Sequence, residues 1–83
     1  MFTTYILYSE KASQYYIGQT GNFENRFREH LRSKCKSTCF ADDWTCVFRT
    51  DFATRNEAVA METKIKKRGV TRFLQDLNGS AVG

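Results

Sequence analysis

The chain has 83 residues, 41% of them hydrophobic and 14% aromatic, and a net charge of +4. That length allows one domain with a modest core, and the apolar content excludes a disordered chain. The sequence contains no apolar run of the roughly 18 residues that a membrane span requires, and no signal-like N-terminus. We therefore expect a soluble, cytoplasmic protein with no membrane association, whose positive charge is suited to a polyanionic partner.

The cations are concentrated in two clusters, from Arg26 to Lys36 and from Lys64 to Arg72, which hold ten of the thirteen. The first cluster contains a single acid, Glu29, and the second contains none. Solvated helix faces would explain this distribution, and so would a nucleic-acid footprint. Composition alone does not choose between them.

The first 20 residues predict a β-hairpin. Residues 2–9 and 15–19 have the alternation and the β-branched and aromatic residues of strands, and the polar residues 10–13 suit a turn. If Ser9 pairs with Gln14, Tyr5 lies opposite Gly18, and Tyr5 and Tyr16 share one sheet face. A register slip of one residue would instead place the two phenols on opposite faces.

Asn22 is a good N-cap for a helix that we expect to reach about Ser33, with Phe23, Phe27 and Leu31 as its buried stripe. Arg26 and His30 are four residues apart, so they share one flank of that stripe. We expect both to border the core without entering it.

Residues 34–43 show no clear period and predict a basic loop, and Trp44 to Thr50 alternates as a third strand. Three cysteines, Cys35, Cys39 and Cys46, follow His30 in the pattern H-x4-C-x3-C-x6-C. Their odd number argues against a disulfide framework. A thiol-based metal or redox site using Cys35 and Cys39 is an alternative, although zinc ligands usually come as closer pairs.

Thr54 and Glu57 have the spacing of a capping box, which predicts a helix from about Arg55 to Arg68 with Ala58, Met61 and Ile65 as its apolar stripe. Glu62 falls inside that stripe. A carboxylate there must lie at the edge of the core, pair with a cation such as Arg26, or hold a metal, because an uncompensated buried charge is costly.

Gly69 closes this helix, and Thr71 is expected to begin a short third one that ends at Leu77. We expect one domain over residues 1–78 and a flexible tail over residues 79–83.

The polar candidates follow one another in an order that resembles the GIY-YIG nuclease superfamily. Tyr5 stands eleven positions before Tyr16-Ile17-Gly18, Arg26 and His30 lie on the next helix, and Glu62 lies on a later one. The resemblance covers Phe2 to about Leu77. The YIL opening, the YYIGQT run, Trp44 and EAVAMETKIKK are similar to the compact single-domain subgroup that is related to the nuclease domain of the DNA repair excinuclease.

The resemblance implies an α+β fold, with a small three-stranded antiparallel sheet flanked by helices. It also implies catalytic roles for five residues. One of Tyr5 and Tyr16 would be, or would orient, the base for the attacking water, Arg26 would stabilise charge on the phosphate, His30 would support them, and Glu62 would hold one divalent cation, Mg2+ or Mn2+. We expect all five to converge where the helices meet the sheet.

The implied function is metal-dependent endonuclease cleavage of DNA, directed by DNA structure or low in sequence specificity, with a partner protein as one source of specificity. The implied nucleic-acid contacts are at Gly18, Lys34, Lys36, Lys64, Lys67 and Arg68. The alternative is a non-catalytic nucleic-acid-binding module with a vestigial site. Two positions depart from the family: Thr3-Thr4 precedes Tyr5 where glycine and isoleucine are usual, and Leu74 stands where some members have asparagine.

Overall fold

The computed structural model describes residues 1–32, 41 and 43–79. Within these residues the chain forms six elements in order: β1 Phe2–Ser9, β2 Gln14–Thr20, α1 Phe23–Leu31, β3 Thr45–Phe52, α2 Arg55–Arg68 and α3 Val70–Gly79. The strands form one antiparallel sheet in the order β2-β1-β3. The predicted α+β fold is confirmed, and β1 is the central strand.

Of the hairpin registers that the sequence left open, the structure shows the one in which both tyrosines lie on the same side of the sheet. Ser9 pairs with Gln14, Tyr5 with Gly18 and Leu7 with Tyr16, so the two phenols share a face. The turn is tied to Asp43, which lies just before β3. The Ser9 hydroxyl donates to the Asp43 carboxylate at 2.5 Å, and the Lys11 amide donates to the same carboxylate at 3.0 Å. These hydrogen bonds lower the pKa of Asp43 below its usual value.

The third strand begins one residue after Trp44 and ends at Phe52, two residues beyond the predicted end. Its pairing with β1 shifts between Ile6 and Leu7, where Ile6 opposes Phe48 and Leu7 opposes Cys46. One extra residue, Val47, is therefore accommodated as a bulge. Trp44 lies just before the strand and is fully buried.

Helices cover both faces of the sheet. On one face α1 packs in a cluster built on Tyr5, Leu7 and Trp44, with Phe23 from the helix. On the other face α2 and α3 pack in a second cluster built on Ile6, Ile65 and Phe73. Neighbouring residues of β1 point to opposite faces, so the two clusters are separated by the sheet itself.

The structure corrects the predicted orientation of α1. Asn22 caps the helix as expected, and its side chain accepts from the Asn25 amide at 3.2 Å. However, His30 is fully buried, whereas Leu31 is 37% exposed. On a helical wheel His30 lies about 20° from Phe23 and Leu31 lies about 80° from it, so His30 is nearer the centre of the buried arc. Its burial is tolerated because the ring nitrogen has a partner, described below.

The second helix has the predicted bounds. Thr54 accepts from the Glu57 amide at 3.3 Å, and Ala58 and Ile65 are fully buried. Gly69 ends α2 with a φ of 91°, a value that favours glycine. The third helix begins at Val70 rather than at Thr71, and the Phe73 amide donates to the Gly69 carbonyl at 2.9 Å. Residues 80–83 of the predicted tail lie outside the described residues.

Across the part of the chain that the structure describes, every helix is too short or too polar to cross a lipid bilayer.

Candidate active site

Tyr5 lies across the neighbouring strand, directly over Gly18. Its side chain is 1% exposed, and a Cβ built on Gly18 would stand 2.7 Å from the Tyr5 hydroxyl oxygen and 2.9 Å from Cζ. Only a residue without a Cβ leaves room for the phenol in this position. Gly18 is itself buried, so the nucleic-acid contact expected there has little exposed surface to use.

His30 fixes the far end of that phenol. Its Nε2 atom lies 3.1 Å from the Tyr5 hydroxyl, within hydrogen-bond distance, and the two rings meet edge to face. Burial, and to a smaller extent the charge of Arg26, lowers the pKa of His30 to about 4, against an opposing effect of the Glu29 charge. At neutral pH the imidazole is therefore uncharged, so it can pair with a neutral phenol inside the core.

Tyr16 completes an aromatic cluster. Its ring centroid is 4.9 Å from that of His30 and 6.3 Å from that of Tyr5. Unlike Tyr5, Tyr16 is only partly buried. Of the two tyrosines that share the face, Tyr16 is therefore the one whose side chain meets solvent.

Arg26 lies one helical turn before His30 on α1. Its guanidinium is 3.3 Å from the Glu29 carboxylate, and both side chains are about 40% exposed. An exposed pair of this kind contributes little stability, so exchanging the Glu29 carboxylate for another anion would lose little. Arg26 and His30 are close enough for the arginine charge to affect the histidine.

Glu62 is on the opposite face of the sheet from the tyrosines, because α2 packs on the Ile6 side. Its side chain is 22% exposed and pairs with Lys66 at 2.7 Å, not with Arg26. Arg55, seven residues earlier, projects from the same side of α2 and donates to Gln19 of β2 at 3.4 Å. Glu62 therefore lies on the β2 side of α2.

The five residues that were expected to converge therefore do not all lie on one face of the sheet. The edge strand β2 separates two groups, with Tyr5, Tyr16 and His30 on one face and Glu62 on the other. A substrate that contacts both groups would have to meet the domain along the edge of β2.

The remaining predicted contacts fall into two sets. Lys34 and Lys36 lie outside the described residues. Lys64, Lys67 and Arg68 are exposed on α2, where they border a groove between α2 and α3 rather than the tyrosine cluster.

No cluster of three or more potential metal-ligating His, Cys, Asp or Glu side chains occurs among the residues that the structure describes. Cys46 is a free thiol whose pKa is raised by burial. Cys35 and Cys39, the centre of the thiol-site alternative, lie outside the described residues. Leu74, at the position where some similar domains have asparagine, packs against the Ile6 cluster and offers no polar group.

Arg49 is a cation near the site that sequence reasoning missed. Arg49 on β3 lies opposite Tyr5 of β1 in the strand register. Its guanidinium is 4.2 Å from the centroid of the Phe23 ring, and Phe23 packs edge to face on Tyr5. The alternation of residues along β3 shows which side chains share a face of that strand. The pairing with β1 is also needed to show that the face of Arg49 is the face of Tyr5.

The model of the family described as the GIY-YIG catalytic domain matches residues 1–73. This chain belongs to the GIY-YIG family. The match spans both tyrosines, the arginine and histidine of α1, and Glu62. Searches of curated proteins and of solved structures gave no significant match. Membership in this family indicates a nuclease domain.

Proposed function

We propose that this protein is an endonuclease that hydrolyses DNA phosphodiester bonds with the help of one divalent cation. The observation that carries the proposal is the cluster of Tyr5, Tyr16 and His30 beside Arg26, in a chain that belongs to the GIY-YIG family. The buried part of this cluster holds its exposed part in one position. Such preorganisation is what a hydrolytic site requires.

Tyr16 is the base in this proposal. Tyr5 is almost fully buried and its hydroxyl is engaged with His30, whereas Tyr16 is partly exposed on the same face. The phenolate form of Tyr16 would accept a proton from an adjacent water molecule as the water oxygen attacks phosphorus. The bond from phosphorus to the leaving sugar oxygen would break, and that oxygen would take a proton from solvent. An ordinary phenol has a pKa near 10, so a nearby positive charge is needed for this role.

Arg26 supplies one such charge. Its ion pair with Glu29 is exposed, so a phosphate group can replace the carboxylate as its partner. A guanidinium binds phosphate oxygens through two parallel hydrogen bonds, which suits the charge that builds up on the phosphate in the transition state.

Glu62 is the proposed ligand of the cation. Mg2+ and Mn2+ favour oxygen ligands, and Mg2+ is commonly bound by one or two carboxylates together with water and substrate phosphates. A partly buried carboxylate on the β2 side of α2 fits that requirement, provided that Lys66 moves aside. When bound, the cation would withdraw charge from the phosphate and stabilise the leaving oxygen.

The substrate class follows from the same features. The described residues form a single layer of sheet with helices on both sides, and the exposed cations of those helices offer contacts to phosphates, which carry no sequence information directly. Branched, flapped or damaged DNA is therefore the proposed substrate, and a partner protein would supply further specificity. A cytoplasmic location, a role in DNA repair and a kinship with the excinuclease nuclease domain remain predictions.

The second candidate is a DNA-binding module without activity. Two observations favour it: Glu62 is already paired with Lys66 at 2.7 Å, and Leu74 stands where some similar domains have asparagine. In such a protein the tyrosine cluster would serve only to pack α1 on the sheet.

Cleavage of labelled branched, nicked and single-stranded DNA with Mg2+ or Mn2+ tests the proposal. The wild type should cut at least one of these substrates, and Glu62→Gln should lose metal-dependent cutting while keeping its fold and its affinity for DNA. Glu10→Gln, in the hairpin turn, is a control that removes the same charge away from the site.

Absence of cleavage by the wild type with either metal, while DNA binding is retained, would favour the second candidate. Equal cleavage by Glu62→Gln and the wild type would remove Glu62 from the mechanism.

A further inference from the structure

An open groove of about 810 Å3 runs between α2 and α3. Phe73 forms its base, and Ala60 and Leu77 line it from the two helices. Leu77 is 49% exposed, although it is a large apolar side chain. The groove therefore leaves apolar surface accessible to solvent.

The polar side chains around this surface are already satisfied at two points. The Thr63 hydroxyl donates to the Val59 carbonyl at 3.0 Å, so the Thr63 proton already has an acceptor. Arg68 makes two hydrogen bonds to Asp76, at 2.8 and 3.0 Å, and so joins α2 to α3. This exposed pair links the two helices beside the groove.

Lys64 and Lys67, which also border the groove, differ from Arg68 in their ion pairing. Both are exposed, and neither forms an ion pair with another described residue. The groove thus combines an apolar floor with two ammonium groups available to an acidic partner.

The groove faces away from the proposed nuclease site. Lys64 and Lys67 lie about 160° and 140° around α2 from Glu62, at 100° per residue. A phosphate held near Glu62 is therefore on the other side of the helix from these lysines.

We propose that this groove binds an acidic, amphipathic helical segment of a partner protein. From Ala60 to Arg68 the groove follows α2 for about 12 Å, which is roughly two helical turns. Apolar residues spaced three and four apart on the partner would cover Phe73 and Leu77. Asp or Glu beside them would pair with Lys64 and Lys67.

DNA is a poorer occupant of the same surface. A duplex presents a hydrated, charged backbone, which gains nothing from covering an apolar floor. The charge of Arg68 is also largely balanced by Asp76. An acidic peptide matches both the floor and the two lysines.

Selection from a phage-displayed library of random peptides of about 12 residues tests this proposal. Enriched sequences should combine acidic residues with apolar residues at helical spacing. Their affinity, measured by fluorescence anisotropy, should fall about fivefold or more in the double variant Lys64→Gln/Lys67→Gln. Amide shifts of the 15N-labelled protein should concentrate on residues 60–68 and 73–77.

Arg28→Gln/Arg32→Gln is the matched control, because it also removes two exposed cations but from α1 and its C-cap, on the other face of the sheet. It should leave peptide affinity within about twofold of the wild type. Peptides without acidic residues, equal loss in both variants, or a short DNA duplex that displaces the peptide from the groove would each overturn the proposal. Because Glu62 lies outside the groove, Glu62→Gln should bind the peptide normally, so a failure of the nuclease proposal is distinguishable from a failure of this one.

Discussion

Replacing Gly18 with alanine is the most direct test of how the tyrosine cluster is built. The added Cβ would lie 2.7 Å from the Tyr5 hydroxyl oxygen, 2.9 Å from Cζ and 3.1 Å from Cε1 of Tyr16. Contacts below 3.0 Å force a displacement, and Tyr5 has no free space because it is buried and bonded to His30.

The expected cost has two sources. Overpacking a well-filled core typically costs about 1–3 kcal/mol. Moving the phenol away from His30 also weakens a buried hydrogen bond, at a further cost of about 1 kcal/mol or more. We therefore expect Gly18→Ala to lower the free energy of unfolding by about 3 kcal/mol, and the melting temperature by more than about 10 °C for a domain of this size.

Urea unfolding followed by circular dichroism measures this difference, with Gly21→Ala as the matched control. A Cβ at Gly21 would meet Phe2 at 3.5 Å, an ordinary contact, so that variant should stay within about 1 kcal/mol of the wild type. In the double variant Tyr5→Phe/Gly18→Ala the oxygen that makes the shortest contact is absent. Its destabilisation should therefore be at least about 1 kcal/mol smaller than the sum of the single changes. Equal stability of the two alanine variants would refute the proposed packing of Tyr5 on Gly18.

Three further predictions concern His30, the cap of α2 and the partner of Glu62. Because the pKa of His30 is lowered from 6.5 to about 4, the folded state resists its protonation, so stability is complete above pH 6.5 and falls as the pH drops towards 4, by about 3 kcal/mol in total. Thr54→Ala should cost about 1 kcal/mol because the Glu57 amide loses its acceptor. Lys66→Met removes the cation that competes for Glu62, so half-maximal cleavage should require several-fold less Mg2+.

Each of these has a distinguishing measurement. Urea titrations at several pH values give the free energy of unfolding as a function of pH. Between pH 6.5 and 4.5 this free energy should fall less in His30→Gln than in the wild type, and an equal fall in both proteins would exclude His30 as the cause. Thr63→Ala, in the middle of α2, should change the free energy of unfolding by less than about 0.5 kcal/mol, so a larger loss there than at Thr54 would contradict the capping role. Metal titrations of cleavage that coincide for Lys66→Met and the wild type would mean that Lys66 does not compete with the cation.

Local patterns were sufficient for most of the fold. Asn22 and Thr54 are side chains that cap helices, and they begin α1 and α2 where their sequence context predicts. Gly69 ends α2 because its φ of 91° is unfavourable for other residues. The hairpin register was not fixed by local patterns, because a slip of one residue was compatible with the same polar turn; the structure places Ser9 opposite Gln14.

The interior of the site depended on tertiary structure. Sequence spacing placed His30 on a flank of α1, but its burial follows from the Tyr5 hydroxyl, which comes from another element and gives the imidazole a partner. Gly18 was expected to contact nucleic acid, yet the structure shows that the group lying against it is the Tyr5 phenol.

The sequence by itself determined the family, the order of elements and the identity of the polar candidates, because these depend on residue types and on spacing along the chain. Only the tertiary structure decided which groups meet. It places Glu62 and the tyrosines on opposite faces of the sheet, gives Glu62 a local partner in Lys66, and places Lys64 and Lys67 beside a groove between α2 and α3. The physical reason is that helical and strand periods fix the side of an element from which a residue projects, whereas packing fixes what that side faces.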